Sequence, residues 1–93
     1  MYKPEYSSRF KRDWKICLNK HWDEKALKEA MKEVLFSDEK VIHQKYNHHI
    51  LQGNLSGVHE IHIGGRKSNW LLLYEIIEGV VYFIRIGTHD EVL

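Results

Sequence analysis

The side chains of this chain that are best suited to chemistry near neutral pH are its seven histidines. An imidazole has an unperturbed pKa of about 6.5, so it can take or give a proton under physiological conditions. His49, His62 and His89 lie in polar contexts in three separated segments, and Arg85 precedes His89 by four residues. The three imidazoles are therefore candidates for acid–base chemistry if the fold brings them together. The other four histidines are interpreted as ordinary structural or surface residues: His21, His43, His48 and His59.

A metal site is an alternative use of the same imidazoles, since zinc sites often use three of them. His49, His62 and His89 show no ligand spacing that would favour it. The sequence His59-Glu60-Ile61-His62 resembles the metalloprotease His-Glu-x-x-His motif, but it is one residue short and lies in a strand pattern. Neither a metal nor a cofactor is therefore expected.

The C-terminal segment predicts a β-hairpin that would position Arg85 and His89. Residues 70–77 and 80–86 are rich in β-branched and aromatic residues, and Glu78-Gly79 between them suits a two-residue turn. Such a turn places Leu72 opposite Arg85. One face then carries Trp70, Leu72, Tyr74, Ile76, Val81, Phe83 and Arg85, and the other carries Leu71, Leu73, Ile77, Val80, Tyr82, Ile84 and Ile86. Because the second face is almost wholly apolar, we expect it to receive the helices and the first to hold the site.

The rest of the chain predicts two helices between strands. Residues 2–6 suit an edge strand, and Ser7 or Ser8 can cap a helix. Its apolar stripe is Phe10, Trp14, Cys17, Leu18 and His21. Asp23 can cap a second helix, which ends at Ser37-Asp38 and buries Leu27, Ala30, Met31, Val34 and Leu35. Residues 41–56 indicate a partly ordered loop, residues 57–63 a strand and residues 64–69 a loop with Arg66 and Lys67. This order predicts an α+β fold, with a short N-terminal strand and a two-helix hairpin packed on an antiparallel sheet that ends in a three-strand meander.

Chain length, cysteine count, hydrophobic runs and charge narrow the class of protein. Ninety-three residues predict one domain, 1–93. A lone Cys17 excludes an intrachain disulfide, and no stretch approaches the ~20 apolar residues of a membrane helix, so we expect a soluble cytoplasmic protein without a membrane partner. The net charge is only +1, but five basic residues and one acid, Asp13, lie between Ser7 and Trp22. The basic residues are Arg9, Lys11, Arg12, Lys15 and Lys20.

Residues 46–93 resemble the RelE superfamily and, within it, the YafQ-type toxins of bacterial type II toxin–antitoxin systems. Four motifs in the same order carry the resemblance: His49-Ile50-Leu51-Gln52-Gly53, Glu60-Ile61-His62-Ile63, Asn69-Trp70-Leu71-Leu72-Leu73-Tyr74 and Arg85-Ile86-Gly87-Thr88-His89. The first half of the chain is similar only in the order of its predicted elements, two helices after a short strand.

The resemblance implies a metal-independent endoribonuclease that enters the ribosomal A site, cuts mRNA and is held inactive by a cognate antitoxin. It implies that His49, His62 and His89 are the active-site histidines. In such cleavage the ribose 2′-OH attacks phosphorus, which requires a base, an acid and a cation. His49 or His62 would be the base, His89 the acid or a phosphate ligand, and Arg85 a charge clamp.

The remaining site residues are expected to bind RNA. Trp70 would stack on a splayed base, and Asn69, Arg66 and Lys67 would lie beside the substrate. The basic flank of the first helix, formed by Arg9, Lys11, Arg12 and Lys15, would contact ribosomal RNA phosphates.

The sequence departs from the family pattern in three places. Asn69 stands where an acid typically precedes the tryptophan, residues 64–68 lengthen the preceding turn, and Leu93 replaces an aromatic residue. Asp90 or Glu91 would be a substitute for the missing acid. These departures leave a second hypothesis open, a degenerate relative that binds antitoxin or RNA without cutting.

Overall fold

The computed structural model describes all 93 residues. Its helices pack on one five-stranded sheet. The strands are β1 (Lys3–Tyr6), β2 (His49–Ile50), β3 (His59–His62), β4 (Trp70–Ile77) and β5 (Val80–Thr88). The helices are α1 (Ser8–Asn19), α2 (Glu24–Phe36), α3 (Glu39–Tyr46) and α4 (His89–Val92). The sheet order is β1-β5-β4-β3-β2. The α+β class and the β3-β4-β5 meander are confirmed, but the sheet is mixed rather than antiparallel, because β1 runs parallel to β5.

The first two helices begin where the sequence predicts. The side chains of Ser7 and Asp23 accept hydrogen bonds from the backbone N–H groups of Phe10 and Ala26. The buried face of α2 agrees with the prediction except that Leu35 is only half-buried. The predicted stripe of α1 is wrong at its end: Leu18 is exposed and His21 lies beyond the helix, whereas the acid Asp13 is buried.

The prediction of a loop over residues 41–56 is wrong for its first part, which forms α3. Asp38 caps this helix, and Ile42 and Tyr46, one turn apart, are both buried. Lys45 and Tyr46 both bind the carboxylate of Glu33 in α2. The helix is short, so its stability depends on these tertiary contacts, which local periodicity does not reveal.

The hairpin turn has the predicted length. Ile77 pairs with Val80, and Glu78 and Gly79 have φ angles of 48° and 82°. Positive φ values at both central residues match a type I′ turn, whose twist suits a hairpin. Leu72 nevertheless lies opposite Ile86 rather than Arg85, because the register shifts between Leu73 and Tyr74. A β-bulge of one extra residue in β5 accounts for the error.

The two sheet faces have the opposite roles to those predicted. The large core between the helices and the sheet contains the aromatic face of the hairpin, including Trp70, Leu72, Tyr74, Val81 and Phe83. The other face carries a small cluster of Val58, Leu71, Leu73 and Val92, and α4 covers it. Both faces are apolar in sequence, so burial alone could not distinguish them. The bulkier aromatic face fills the deeper layer.

None of the helices is both long enough and apolar enough to traverse a lipid bilayer.

Candidate active site

His49, Glu60 and His62 form a cluster on the sheet face that α4 covers. Pairing of β2 with β3 places His49 opposite Glu60, and strand alternation places His62 on the same face as Glu60. The ring centroids of His49 and His62 are 6.4 Å apart. One donor atom from each of the three side chains lies within 4.8 Å of the others. This separation is short enough for one substrate group to contact all three, and the donor set is also one that could hold a metal ion.

The ring of His62 is fixed by two polar partners. Its Nδ1 lies 2.6 Å from the carbonyl oxygen of Ser68, and its Nε2 lies 3.3 Å from Oε1 of Glu60. A carbonyl oxygen can only accept, so Nδ1 carries a proton and Nε2 is the nitrogen that can gain or lose one. When Nε2 is protonated, the ring donates to both neighbours. These two contacts fix the orientation of the ring beside Glu60.

The loop before β4 links His62 to His89. Ser68 contacts His62, and the next residue, Asn69, accepts a hydrogen bond through Oδ1 from the backbone N–H of His89 at 3.4 Å. Trp70 pairs with Thr88, which places the loop beside the end of β5. The imidazole of His89 is exposed, with Nδ1 3.6 Å from the fully exposed carboxylate of Asp90. His62 and His89 thus flank one loop.

α4, which begins at His89, packs closely over Gly87 at the end of β5. A Cβ at Gly87 would meet Oε1 of Glu91 and a methyl of Val92 at 3.0 Å each, so these two side chains of α4 would have to shift to make room for it. Glu91 accepts from the backbone N–H of Thr88 at 2.8 Å and forms an ion pair with Lys20 at 3.1 Å. The hydrogen bond from Thr88 and the ion pair with Lys20 lower the pKa of the Glu91 carboxyl. Glu91 therefore positions α4 rather than replacing a catalytic acid.

Arg85 lies in a different environment from the one predicted. Its Nε donates to Oδ2 of Asp13 at 2.8 Å and its Nη2 donates to Oδ1 at 3.3 Å. The carboxylate also accepts the backbone N–H of Ile86 at 3.0 Å and lies 3.7 Å from the guanidinium of Arg9. Two of the five N–H donors of Arg85 are used in this way, so three remain for another partner.

An open cavity of about 270 Å³ lies beside this ion pair. Three cations, Arg9, Lys20 and Arg85, line it together with two acids, Asp13 and Glu91. The excess of cations suits an anion more than a cation. The cavity lies at the stretch of β5 beyond its pairing with β1, which extends only from Val80 to Phe83.

The other predicted site residues fall into three groups. Trp70 is buried against Trp22 with ring centroids 4.7 Å apart, so in this conformation it is not available to stack on a base. Arg66 donates to the carbonyl oxygens of His43 and Gln44 at the end of α3, at 3.4 and 2.9 Å. Lys67 is exposed. The basic residues of α1 are exposed as well: Arg9, Lys11, Arg12 and Lys15.

Sequence reasoning missed two carboxylates that the structure places at the site. Glu60 was visible only as a residue on the same strand face as His62. Asp13 was visible as the lone acid in a basic segment, at helical spacing from Phe10 and Cys17. Both are buried beside a partner that can carry positive charge: Asp13 beside Arg85 of β5, and Glu60 beside His62, two residues further along β3. A buried acid with such a partner is a stronger indication of function or specificity than an exposed one.

Comparison with known proteins identifies the family of this chain. The chain matches, over residues 2–93, the family described as bacterial toxin of type II toxin–antitoxin system, YafQ. It is 31% identical over 85 residues to the mRNA interferase toxin YafQ of Escherichia coli strain K12, covering 91% of this chain and 88% of that protein.

Two solved structures are also similar. The crystal structure of YafQ from E. coli strain BL21(DE3) has a TM-score of 0.86 and 26% identity, covering 100% of this chain and 99% of the other. YafQ in the crystal structure of the E. coli DinJ–YafQ toxin–antitoxin complex has a TM-score of 0.81 and 26% identity, covering 99% of this chain and 97% of the other.

The fold and the histidine site define a small α+β protein of the RelE-like class. The chain belongs to the YafQ family of bacterial toxins from type II toxin–antitoxin systems.

Proposed function

We propose that this protein is an mRNA endoribonuclease that cuts ribosome-bound mRNA in the cytoplasm and is neutralised by a cognate antitoxin. The observation that carries the proposal is the link from His62 through Ser68 and Asn69 to His89, with His49 and Glu60 beside His62. The name of the E. coli relative, an mRNA interferase toxin, supports the substrate, and its complex with DinJ supports the antitoxin.

The proposed reaction is attack of a ribose 2′-OH on the adjacent phosphorus, with departure of the 5′-oxygen. The base is His49 or His62, and Glu60 stabilises the proton that the imidazole gains. The acid that protonates the leaving oxygen is His89, which is exposed and held by Asn69. No step requires a metal ion, because each proton transfer has an imidazole in reach of the substrate.

Arg85 is proposed to act through its remaining donors. A phosphate that enters the cavity beside Arg9, Lys20 and Arg85 would meet three cations, although Asp13 already neutralises part of their charge. Arg85 therefore has a structural role and an anion-binding role. The exposed basic residues of α1, Lys11, Arg12 and Lys15, extend this positive surface and are proposed to contact ribosomal RNA phosphates.

Asn69 serves as a positioning residue in this proposal. Its Oδ1 accepts from the backbone of His89, a role that a carboxylate oxygen would also fill. The carboxylate beside the catalytic imidazoles is Glu60. The asparagine therefore weakens the case for a degenerate protein.

The test is cleavage mapping on translating ribosomes with purified protein that has or has not been treated with a chelator and desalted before mixing. We expect chelator-treated wild-type protein to cut within codons, and His89→Gln, His62→Gln and His49→Gln each to lose at least about 100-fold in rate, the lower end of the range for general acid–base catalysis. The pH–rate profiles of slow variants identify the base, because its loss removes the acidic limb. His21→Asn, at an exposed position outside the site, is the matched control.

Three results would contradict parts of the proposal. Intact mRNA with wild-type protein that still binds its antitoxin would indicate a binding protein. Full activity of His89→Gln would remove His89 from the mechanism. Loss of cleavage only with chelator-treated protein would replace the metal-independent route with a metal-assisted one.

A further inference from the structure

A second cluster of metal-binding side chains lies on the other face of the sheet. Glu39 is the first residue of α3, His48 precedes β2 and His59 begins β3. One donor atom from each lies within 4.8 Å of the others, and Nε2 of His48 lies 2.7 Å from Nδ1 of His59. Three separate segments therefore meet at two imidazole nitrogens and a carboxylate.

This cluster is distinct from the active-site cluster. Consecutive strand residues alternate between faces, so His48 and His59 point to the helix side while His49 and Glu60 point to the α4 side. His59 stacks on Tyr74, which belongs to the helix-side core, with ring centroids 4.9 Å apart and an interplanar angle of 15°. The proposed reaction uses none of these groups.

The two imidazoles already face each other. His48 is only 3% exposed, and its Nε2 lies 2.7 Å from Nδ1 of His59. One of these nitrogens donates and the other accepts, so the two rings share one N–H. A metal ion that binds both nitrogens takes the place of this shared proton, which moves to the other nitrogen of its ring.

The distance between the two imidazole nitrogens is near the value that a tetrahedral zinc site needs. Zinc binds imidazole nitrogen at about 2.0–2.1 Å, so two such nitrogens on one ion are about 3.3 Å apart. The observed 2.7 Å therefore has to widen by roughly 0.6 Å, a small rotation of two side chains. Glu39 is exposed at its helix terminus and can supply the carboxylate oxygen. His43, one turn later on α3, has its ring centroid 5.8 Å from that of His48.

We propose that Glu39, His48 and His59 bind one divalent transition-metal ion of the zinc class, with water in the fourth position. Two imidazoles and one carboxylate are a donor set that zinc uses, and they are poor ligands for calcium or magnesium. The ion joins the start of α3 to β2 and β3. Because β2 is a two-residue edge strand, the ion would also fix the backbone next to His49.

The test is titration of metal-free protein with Zn²⁺ by calorimetry, together with NMR of the histidine ring nitrogens. We expect one equivalent to bind at this cluster and to shift the ring-nitrogen signals of His48 and His59. His59→Gln should weaken this binding by more than about 100-fold, since loss of a ligand exceeds the 10–100-fold effect of losing a partner of a ligand. Glu39→Gln, an exposed change, should weaken it at least tenfold, by the same comparison.

The controls separate this cluster from the active site. His49→Gln and His21→Asn should bind Zn²⁺ at the Glu39 cluster as wild type does. Ring shifts confined to His49 and His62, or affinity lost in His49→Gln but kept in Glu39→Gln, would overturn the proposal by assigning the ion to the other cluster. Absence of binding by wild type at about 100 μM Zn²⁺ would also overturn the proposal, because structural zinc sites bind far more tightly than that. If His59→Gln does not fold, the wild-type ring shifts and Glu39→Gln still decide the outcome.

Discussion

The buried ion pair between Asp13 and Arg85 makes a quantitative prediction about stability. Asp13 is 4% exposed and accepts three hydrogen bonds, two from Arg85 and one from the backbone of Ile86. Asp13→Ala removes all three hydrogen bonds at once. It leaves a buried backbone N–H without a partner and a guanidinium without its counter-charge.

The expected loss follows from these groups. An unsatisfied buried N–H costs about 1–3 kcal/mol, and a lost hydrogen bond to a charged group costs about 1.5–3 kcal/mol. The second figure is taken at its lower end, because 21% of the Arg85 side chain is exposed and water can reach it. We therefore expect Asp13→Ala to lower the free energy of unfolding by about 2.5–4.5 kcal/mol, which overlaps the range of about 3–5 kcal/mol for breaking a buried pair. Asp13→Asn keeps an oxygen for the Ile86 N–H, so it should lose only about 1–3 kcal/mol.

The assay is urea unfolding at pH 7, followed by far-UV circular dichroism and analysed by linear extrapolation. Equal m-values across the variants would show that unfolding exposes the same surface in each. Asp90→Ala, at a fully exposed acid, is the control and should change stability by no more than about 0.5 kcal/mol. A loss below about 1 kcal/mol for Asp13→Ala would refute the reasoning, because one unsatisfied buried N–H alone exceeds that value. A double-mutant cycle with Arg85→Gln then measures the coupling between the two side chains.

Three further predictions concern pH, the packing of α4 and the positioning of His89. Burial lowers the folded-state pKa of His48 and His59, so the unfolded chain binds more protons than the folded one at low pH. The free energy of unfolding should therefore be constant above pH ~6.5 and fall below it, by at most about 1.4 kcal/mol per pH unit for each histidine. Urea midpoints measured at pH 7.0 and 5.5 should fall less in His59→Gln than in wild type. Gly87→Ala inserts a methyl against α4 and should cost about 1–3 kcal/mol by thermal unfolding; an unchanged Tm would show that α4 yields freely. Asn69→Ala removes the acceptor for the His89 N–H and should slow mRNA cleavage about tenfold, equivalent to one hydrogen bond, whereas Asn69→Asp should keep most of the rate; equal rates for both would exclude the positioning role.

The elements of this fold were largely predictable because their signals are local. Ser7 and Asp23 cap helices through their own side chains, and Glu78-Gly79 sets a turn through its backbone preference, so neither depends on the rest of the chain. α3 was missed although Asp38 caps it locally, because its two buried positions become favourable only when α2 is beside it. The prediction assigned the two faces of the hairpin the wrong way round, because both are apolar and a bulge shifts the register by one residue.

The sequence by itself determined the fold class, the meander and the three histidines proposed to carry the chemistry, since each rests on residue type and short-range pattern. Only the tertiary structure decided their surroundings. It paired Arg85 with Asp13 across the chain, placed His49 opposite Glu60 and used Asn69 to hold His89. It also joined Glu39, His48 and His59 into a second cluster from positions that look unremarkable in sequence. The physical reason is that hydrogen bonds and ion pairs depend on distances of a few ångströms between residues far apart in the chain, which only the packed sheet sets.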